Sequence, residues 1–194
     1  DDAVMLVCPS DHHIADPDAF RAAALAAAAL AKEDYLVCFG IAADRPETGY
    51  GYLQRGEPLA GGFKVQRFVE KPAPGTAPSN LINAGTYVVE PSVLQRIPTG
   101  RKVSIEREIF PLIVADGGLY ALATNDYWID AGRPEPYLQA NLDMIDAVRR
   151  SASAPAIEPG AKVDPSALVR HSLVSAGALV EAGADIKDSV ILAG

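Results

Sequence analysis

Two acidic residues, Asp11 and Asp130, stand at predicted strand ends that face loops. In open α/β sheets, ligands bind outside the carboxyl ends of the strands. Magnesium is usually held there by one or two carboxylates together with substrate phosphates. The two aspartates therefore suit a shared magnesium ion, although each residue taken singly also fits an ordinary turn, where aspartate commonly bonds the backbone.

A second group of polar residues lies on or beside further predicted strands. Glu70 and Lys71 follow a strand directly, where lysine can reach phosphate oxygens and glutamate can accept hydrogen bonds from sugar hydroxyls. The same pair fits a surface ion pair before a turn, and the Glu-Lys-Pro tripeptide alone favours that interpretation. Asn83 interrupts an apolar strand, so its amide either braces a loop or binds a ligand hydroxyl. Gly51 either lets the backbone approach a ligand closely or serves as a hairpin residue.

Other kinds of catalytic centre find little support. His12 and His13 adjoin Asp11, but neighbouring residues of an extended chain point to opposite sides. No further set of histidine and cysteine ligands accompanies them, because His171 lies far along the chain, and a zinc site is not expected. The sequence contains no nucleophile elbow, Walker loop or G-x-G-x-x-G fingerprint.

Composition narrows the class of protein. The chain has 194 residues, of which 49% are apolar and 22% charged, as in ordinary globular domains. A net charge of −8 argues against nucleic-acid binding through a broad basic surface. No apolar run is long enough for a membrane span, and no signal peptide is expected. Cys8 and Cys38 lie in apolar runs and are expected to be buried small hydrophobes, which indicates a reducing compartment. We therefore expect a cytoplasmic α/β protein with neither nucleic acid nor membrane as a partner.

The elements that must position these residues alternate between strands and helices. A continuous apolar run at 4–8 is typical of a parallel strand covered on both faces. With an alanine-rich helix at 19–32 and a strand at 36–39 it forms a βαβ unit. A loop-and-hairpin region at 45–62 follows. Further strands are predicted at 63–69, 82–89 and 119–123, and helices at 91–96, 104–115 and 135–150. In the helix at 104–115, Ser104 is the expected N-cap, and Glu106 in the first turn favours the positive end of the helix dipole.

After residue 151 the pattern changes to a six-residue repeat. One aliphatic residue recurs in each repeat, with small turn residues such as Ala-Gly-Ala between. The aliphatic positions are Ile157, Val163 and Val169, and, after a one-residue slip, Val174, Val180, Ile186 and Leu192. Such spacing is the signature of a hexapeptide parallel β-helix. The alternative is an Ala/Gly-rich tail whose spacing is accidental, and seven aliphatics make the repeat the better interpretation.

Taken together, seven short segments resemble the sugar-1-phosphate nucleotidyltransferases, and within that family the mannose-1-phosphate guanylyltransferase branch. Each segment is weak evidence alone, but all of them follow in the family's order. They are PSDHHI at 9–14, FGI at 39–41, PETGYGY at 46–52, FVEKP at 68–72, NAGTY at 83–87, SIEREIFP at 104–111 and YWIDAGRP at 127–134. The resemblance covers essentially the whole chain.

The resemblance implies a fold, a reaction and a set of site residues. The fold would be a Rossmann-like nucleotide-diphospho-sugar transferase domain at 1–150, followed by a short left-handed parallel β-helix at 151–194 through which the chain would form a homo-oligomer. The substrates would be a sugar 1-phosphate and a nucleoside triphosphate, with mannose 1-phosphate and GTP giving GDP-mannose and pyrophosphate. Asp11 and Asp130 would hold Mg²⁺, and together with Lys71 would be catalytic. Lys71 would bind the sugar phosphate, Glu70 the sugar hydroxyls, and Gly51 and Asn83 would line the sugar pocket.

The sequence departs from the family in one respect. The family's opening strand and its G-G-x-G-T-R-L loop, which wraps the triphosphate, are not in these 194 residues. The domain is therefore expected to be incomplete at its N-terminus, either as a fragment or as a degenerate member, and to make little GDP-mannose alone. A non-catalytic nucleotide-sugar-binding or regulatory subunit of the same fold is the main alternative. An acyltransferase, for which His171 would be the only histidine among the repeats, fits less well.

Overall fold

The computed structural model describes residues 3–12, 14, 16–43, 45–124, 127–148 and 155–194. The chain divides into two compact units. Unit 1 comprises Asp1–Ser10 and Pro17–Asn125, and unit 2 comprises Asp11–Asp16 and Asp126–Gly194. None of the helices in the described ranges is both long enough and apolar enough to cross a membrane.

Unit 1 is built on a six-stranded mixed sheet. Its strands are β1 (Met5–Val7), β2 (Leu36–Ala42), β3 (Gly51–Leu59), β4 (Gly62–Glu70), β5 (Leu81–Val89) and β6 (Leu119–Thr124). They lie in the order β1-β5-β2-β6-β4-β3, and a further pairing joins β3 to β5. Among the described strands of this sheet, β2 and β6 are the one parallel pair, and the central strand β2 is almost wholly buried, as its unbroken apolar run requires.

The first strand differs from its prediction. β1 pairs antiparallel with β5 at the end of the strand order instead of lying between two parallel neighbours. Leu6 and Val7 are 49% and 46% exposed. Cys8 is exposed as well, so the expectation that both cysteines are buried holds for Cys38 alone. An apolar run indicates that a strand can be buried by neighbouring elements. Which elements lie against it depends on the topology of the sheet, and the run itself does not reveal that.

The helical elements of unit 1 pack beside this sheet. They are α1 (Pro17–Ala31), a 3-10 turn (Pro91–Arg96), a π-helical turn (Ile105–Ile109) and α2 (Phe110–Ala115). The single helix predicted at 104–115 is thus a π turn followed by a short α-helix. Ser104 caps it as predicted, since its hydroxyl accepts from the Arg107 N–H. Phe110, fully buried, packs edge-on against Phe68 of β4 and Tyr87 of β5, with ring centroids 5.1 Å apart in both pairs.

Unit 2 contains one helix and six short strands among its described residues. The helix, α3, spans Pro134–Ile145; residues 149–150 of its predicted extent lie outside the described ranges. The strands are β7 (Lys162–Val163), β8 (Leu168–Arg170), β9 (Leu173–Val174), β10 (Leu179–Val180), β11 (Asp185–Lys187) and β12 (Val190–Ile191). They form three parallel pairs, β7 with β10, β8 with β11 and β9 with β12. Val174, Ala178 and Val180 form the buried centre of this region.

Candidate functional site

In unit 2 the chain brings the two predicted metal ligands together. His12 forms an isolated antiparallel bridge with Asp130, and the Ala131 N–H lies 3.4 Å from the Asp11 carbonyl oxygen. This pairing brings the two segments that carry Asp11 and Asp130 together although they are far apart in the sequence. Asp130 is further held by the Gly132 N–H, which donates to its Oδ1 atom over 3.0 Å. No cluster of three or more His, Cys, Asp or Glu side chains suited to a metal occurs among the described residues.

Gly132 leaves the space in which the two carboxylates meet. A Cβ atom at this position would lie 2.9 Å from Asp11 Oδ2 and 3.1 Å from Asp130 Oδ1, closer than ordinary contact. The backbone of Gly132 does not adopt a positive φ, so the absence of a side chain here relates to space and not to backbone conformation. Two carboxylate oxygens that lie within about 3 Å of one point are a donor set that Mg²⁺ accepts, with waters and phosphates filling its remaining positions. The residues therefore fit a magnesium ion.

His12 supports this pair from one side. Its Nδ1 atom accepts a hydrogen bond from the Trp128 indole N–H over 3.2 Å, and the two rings meet edge-on. Burial lowers the pKa of His12, an effect that the neighbouring carboxylates of Asp11 and Asp130 oppose. An imidazole that accepts at Nδ1 is neutral and carries its proton on Nε2. His13, its neighbour in the PSDHHI segment, lies outside the described residues.

In unit 1 the end of β4 presents the predicted sugar-phosphate residues. Lys71 has a left-handed backbone, φ +48°, which turns the chain sharply as β4 ends. Its Nζ atom lies 3.7 Å from Glu70 Oε1, and its side chain is 51% exposed against 14% for Glu70. Gly51 pairs with Glu70 across the β3–β4 ladder. A Cβ at Gly51 would lie 2.5 Å from Phe68 Cζ and 2.7 Å from Glu70 Oε2, so glycine is required for Glu70 to keep its position.

The environment of Glu70 perturbs its ionisation. Burial raises the pKa of its carboxyl, and the negative charge of Glu106 raises it further. The ammonium of Lys71 and the guanidinium of Arg107 act in the opposite direction. A glutamate that is mostly shielded from water yet still faces a lysine is suited to accept hydrogen bonds from a polar ligand.

Asn83 has partners within the protein. Its Nδ2 atom donates to the Tyr87 hydroxyl over 2.7 Å, and its Oδ1 accepts from the Gly85 N–H over 3.3 Å. Tyr87 in turn donates to Glu106 Oε1 over 3.2 Å, and the Ser104 hydroxyl donates to Glu106 Oε2 over 3.1 Å. Asn83, only 7% exposed, thus anchors a hydrogen-bonded chain that runs from β5 to the π turn.

The structure therefore groups the predicted residues in two places. Asp11 and Asp130 meet in unit 2, whereas Gly51, Glu70, Lys71 and Asn83 belong to unit 1. Sequence reasoning missed Tyr87, and it assigned Glu106 only to the start of a helix. A buried asparagine in an apolar strand signals that polar partners exist, but the sequence does not say which side chains they are.

The match to a protein-family model covers most of the chain. The model described as "Nucleotidyl transferase" matches residues 1–147. The chain belongs to this family, as the seven segments had predicted.

Curated relatives carry one name repeatedly. The chain is 42% identical over 111 residues to a probable mannose-1-phosphate guanylyltransferase 1 of Oryza sativa subsp. japonica, a match that covers 57% of this chain and 30% of the relative. It is 39% identical over 114 residues to the mannose-1-phosphate guanylyltransferase of Mycobacterium tuberculosis, covering 55% and 31% respectively. The Escherichia coli enzyme of that name is 51% identical over 92 residues, 45% of this chain and 18% of the relative. The chain thus matches less than a third of the length of each relative.

Solved structures confirm the fold. A Thermus thermophilus structure described as mannose-1-phosphate geranyltransferase superposes with a TM-score of 0.61 at 21% identity, covering 96% of this chain and 61% of that one. A Helicobacter pylori structure described as mannose-6-phosphate isomerase gives 0.53 at 24% identity, covering 66% and 64%. At these identities the likeness concerns the fold alone. It confirms the Rossmann-like nucleotidyltransferase architecture.

Proposed function

We propose that this chain carries part of the machinery of a mannose-1-phosphate guanylyltransferase. In the proposed reaction, a phosphate oxygen of mannose 1-phosphate attacks the α-phosphorus of GTP. A new oxygen–phosphorus bond forms, the bond to the β-phosphate breaks, and GDP-mannose and pyrophosphate result. Two anions must approach each other, so the protein contributes mainly by positioning them and neutralising their charge. No protein nucleophile is required.

Asp11 and Asp130 are the proposed magnesium ligands. Their oxygens converge on the space at Gly132, and this convergence is the observation that carries the proposal. When bound, magnesium supplies charge neutralisation for phosphate oxygens. The Gly132 N–H and the bridge between His12 and Asp130 hold Asp130 in place before any ligand arrives.

The residues of unit 1 are proposed to bind the sugar phosphate. The exposed ammonium of Lys71 is available to a phosphate oxygen, whereas the shielded carboxylate of Glu70 accepts from sugar hydroxyls. Asn83 adds a donor and an acceptor for the sugar. Gly51 contributes by leaving Glu70 in place, because the Cβ of any larger residue would lie 2.7 Å from its Oε2 atom and displace it.

The proposal is tested by titrating GDP-mannose into the 194-residue chain, with and without Mg²⁺, by isothermal calorimetry. We expect magnesium-dependent binding that Asp11→Asn and Asp130→Asn each weaken at least about tenfold, equivalent to about 1.4 kcal/mol. Asp185→Asn, which removes an exposed carboxylate paired with Arg170 in unit 2, is the matched control and should bind normally. Absence of binding, or binding that neither variant changes, refutes the proposal.

A parallel assay separates catalysis from binding. Pyrophosphate release is measured with GTP, mannose 1-phosphate and Mg²⁺. Release that Asp11→Asn and Asp130→Asn abolish supports the enzymatic activity. Magnesium-dependent binding without release in the 194-residue chain agrees with the expected lack of the G-G-x-G-T-R-L loop. The same result in a chain that includes this loop selects a non-catalytic nucleotide-sugar-binding subunit instead.

For residues 155–194 we propose the short left-handed parallel β-helix that the six-residue repeat predicts. In its support, the strands pair in parallel at a constant offset, Lys162 with Leu179 and Leu173 with Val190. Leu168 and Leu179 are 55% and 65% exposed on these strands. We propose that the exposed aliphatic side chains of this region join two copies of the chain, because burial between copies would remove their apolar surface from water.

A further inference from the structure

The hydrogen-bonded chain from Ser104 to Asn83 has a fixed direction. A glutamate carboxylate has only acceptor oxygens, so Glu106 accepts hydrogen bonds from the hydroxyls of both Ser104 and Tyr87. Tyr87 has one hydroxyl proton, and the hydrogen bond to Glu106 uses it. Its oxygen is therefore left to accept, and only the amino side of the Asn83 amide can donate to it.

The direction decides how the Asn83 amide is oriented. Oxygen and nitrogen of an asparagine side chain are interchangeable in shape, so the hydrogen bonds around it set which is which. Here Nδ2 faces Tyr87 and Oδ1 faces the Gly85 N–H, and each atom uses one of its two bonding positions. Within the part of the chain that the structure describes, one N–H and one carbonyl lone pair of this amide remain, in a known arrangement.

A bulge in β5 makes this contact feasible. In a regular strand, residues four apart lie about 13 Å from each other. Cys38 and Gly40, two apart on β2, pair with Tyr87 and Asn83, four apart on β5, so β5 carries two extra residues here. Gly85, with φ +74°, lies within that bulge. The shortened path brings the Asn83 amide within 2.7 Å of the Tyr87 hydroxyl.

The π turn completes the arrangement from the other side. The Phe110 N–H bonds the Ile105 carbonyl five residues back, so the turn is wider than an α-helical one. Ser104 caps this turn and bonds Glu106 at the same time. Tyr87 is held laterally by the buried ring of Phe110. Tyr87 and Ser104 are thus each fixed by a contact independent of the hydrogen-bonded chain itself.

We propose that Tyr87 and Glu106 are positioning residues that hold the Asn83 amide in one orientation, so that it offers one N–H and one carbonyl lone pair to vicinal hydroxyls of the sugar phosphate. The sugar-phosphate part rests on the proposed function. The orientation of the amide is a property of the ligand-free chain and stands without it. Vicinal hydroxyls suit this pattern because each is both donor and acceptor.

The experiment follows the Asn83 side-chain NH₂ signals of ¹⁵N-labelled protein by NMR. In the parent chain we expect two well-separated signals that exchange slowly with water, because one proton is held by Tyr87. Tyr87→Phe removes the acceptor and should speed that exchange about tenfold or more, as expected for the loss of a hydrogen bond that contributes about 1.4 kcal/mol. Glu106→Gln lets the new amide donate to Tyr87, so the Asn83 amide can flip and its signals should shift or double.

Two matched variants control for general loosening. Tyr52→Phe removes another buried hydroxyl of unit 1, which bonds the backbone of Glu47. Glu108→Gln neutralises the next carboxylate on the π turn, which pairs with Arg101, while its amide oxygen can still accept from the Ser104 N–H as the carboxylate does. Both should leave the Asn83 signals unchanged. Unchanged signals in Tyr87→Phe and Glu106→Gln, or equal changes in the two controls, overturn the proposal.

Adding mannose 1-phosphate to the same samples tests the second half. In the parent chain the free N–H of Asn83 should shift on binding, and Tyr87→Phe should raise the dissociation constant roughly tenfold, equivalent to about 1.4 kcal/mol. If the parent chain does not bind mannose 1-phosphate, the proposed function fails while the positioning of the amide remains supported by the ligand-free spectra. If it binds but Tyr87→Phe and Glu106→Gln bind equally well, the positioning role is refuted while the function stands.

Discussion

Substituting Gly51 by alanine tests whether the backbone beside Glu70 must lack a side chain. The new Cβ would lie 2.5 Å from Phe68 Cζ and 2.7 Å from Glu70 Oε2, where ordinary contact begins at 3.4 Å. Phe68 would have to retreat by nearly an ångström, and it is buried edge-on against Phe110. Overpacking of this kind costs about 1–3 kcal/mol. For a chain of this size, that lowers the melting temperature by roughly 2–12 °C.

The same substitution should separate stability from ligand binding. Glu70 is displaced as well, so we expect affinity for mannose 1-phosphate to fall about tenfold or more even at temperatures where the variant is folded. Thermal unfolding by circular dichroism gives the first quantity, and calorimetric titration of mannose 1-phosphate gives the second.

Gly49 supplies the matched control two residues away. A Cβ there would meet nothing within 4 Å, and its backbone needs no positive φ. Gly49→Ala should therefore melt and bind like the parent chain. If Gly51→Ala behaves as Gly49→Ala does, the close approach of β3 to Glu70 has no energetic consequence and the reasoning is wrong.

Three further predictions concern unit 2. Gly132→Ala should lower the affinity for Mn²⁺, used in place of Mg²⁺, about tenfold or more in an electron paramagnetic resonance titration, because the new Cβ would lie close to carboxylate oxygens of both Asp11 and Asp130. An unchanged affinity would show that the metal does not bind beside Gly132. Hydrogen bonds to Asp188 and Asp146 raise the pKa of His171, so its stabilising effect is full below pH 6.5 and is lost as pH rises through the raised pKa. Melting temperatures measured between about pH 6 and pH 9 should fall across that window, and His171→Gln should abolish this component; an identical slope in the variant would contradict it. Finally, Leu168→Glu with Leu179→Glu should reduce the number of chains per particle in light scattering, whereas Ala182→Glu at an exposed turn should not; an unaltered particle mass in the double variant would count against self-association through the tail.

Most strands and helices were predictable because they follow from local patterning. Apolar runs and alternation placed β2, β4, β5 and β6 to within about three residues of their observed ends. The pairing partners of the strands could not be predicted in the same way, because strand pairing depends on segments that are distant in the sequence. The position of β1 at the end of the strand order, and hence the exposure of Leu6 and Cys8, therefore escaped prediction.

The types of the site residues were predictable from the sequence, whereas the contacts among their side chains were less predictable. Asp11 and Asp130 were expected to meet because both follow strand ends, and the His12–Asp130 bridge does bring them together. The Asn83–Tyr87 contact could not be foreseen, since it depends on a bulge that no alternation pattern reveals. Glu106 was predicted to interact with the positive end of a helix dipole, because the whole segment at 104–115 was expected to be α-helical.

The wide turn at Ile105–Ile109 bears on how this region tolerates insertions and deletions. A π turn holds one residue more than the α-helical turn it replaces. Deleting a single residue there would restore α pairing and rotate the preceding side chains by about 100° around the axis. Glu106 would then turn away from Tyr87, while α2 would keep its packing through Phe110. One codon gained or lost at this turn would thus make or break the link between Glu106 and the Asn83 amide without disturbing the sheet beneath it.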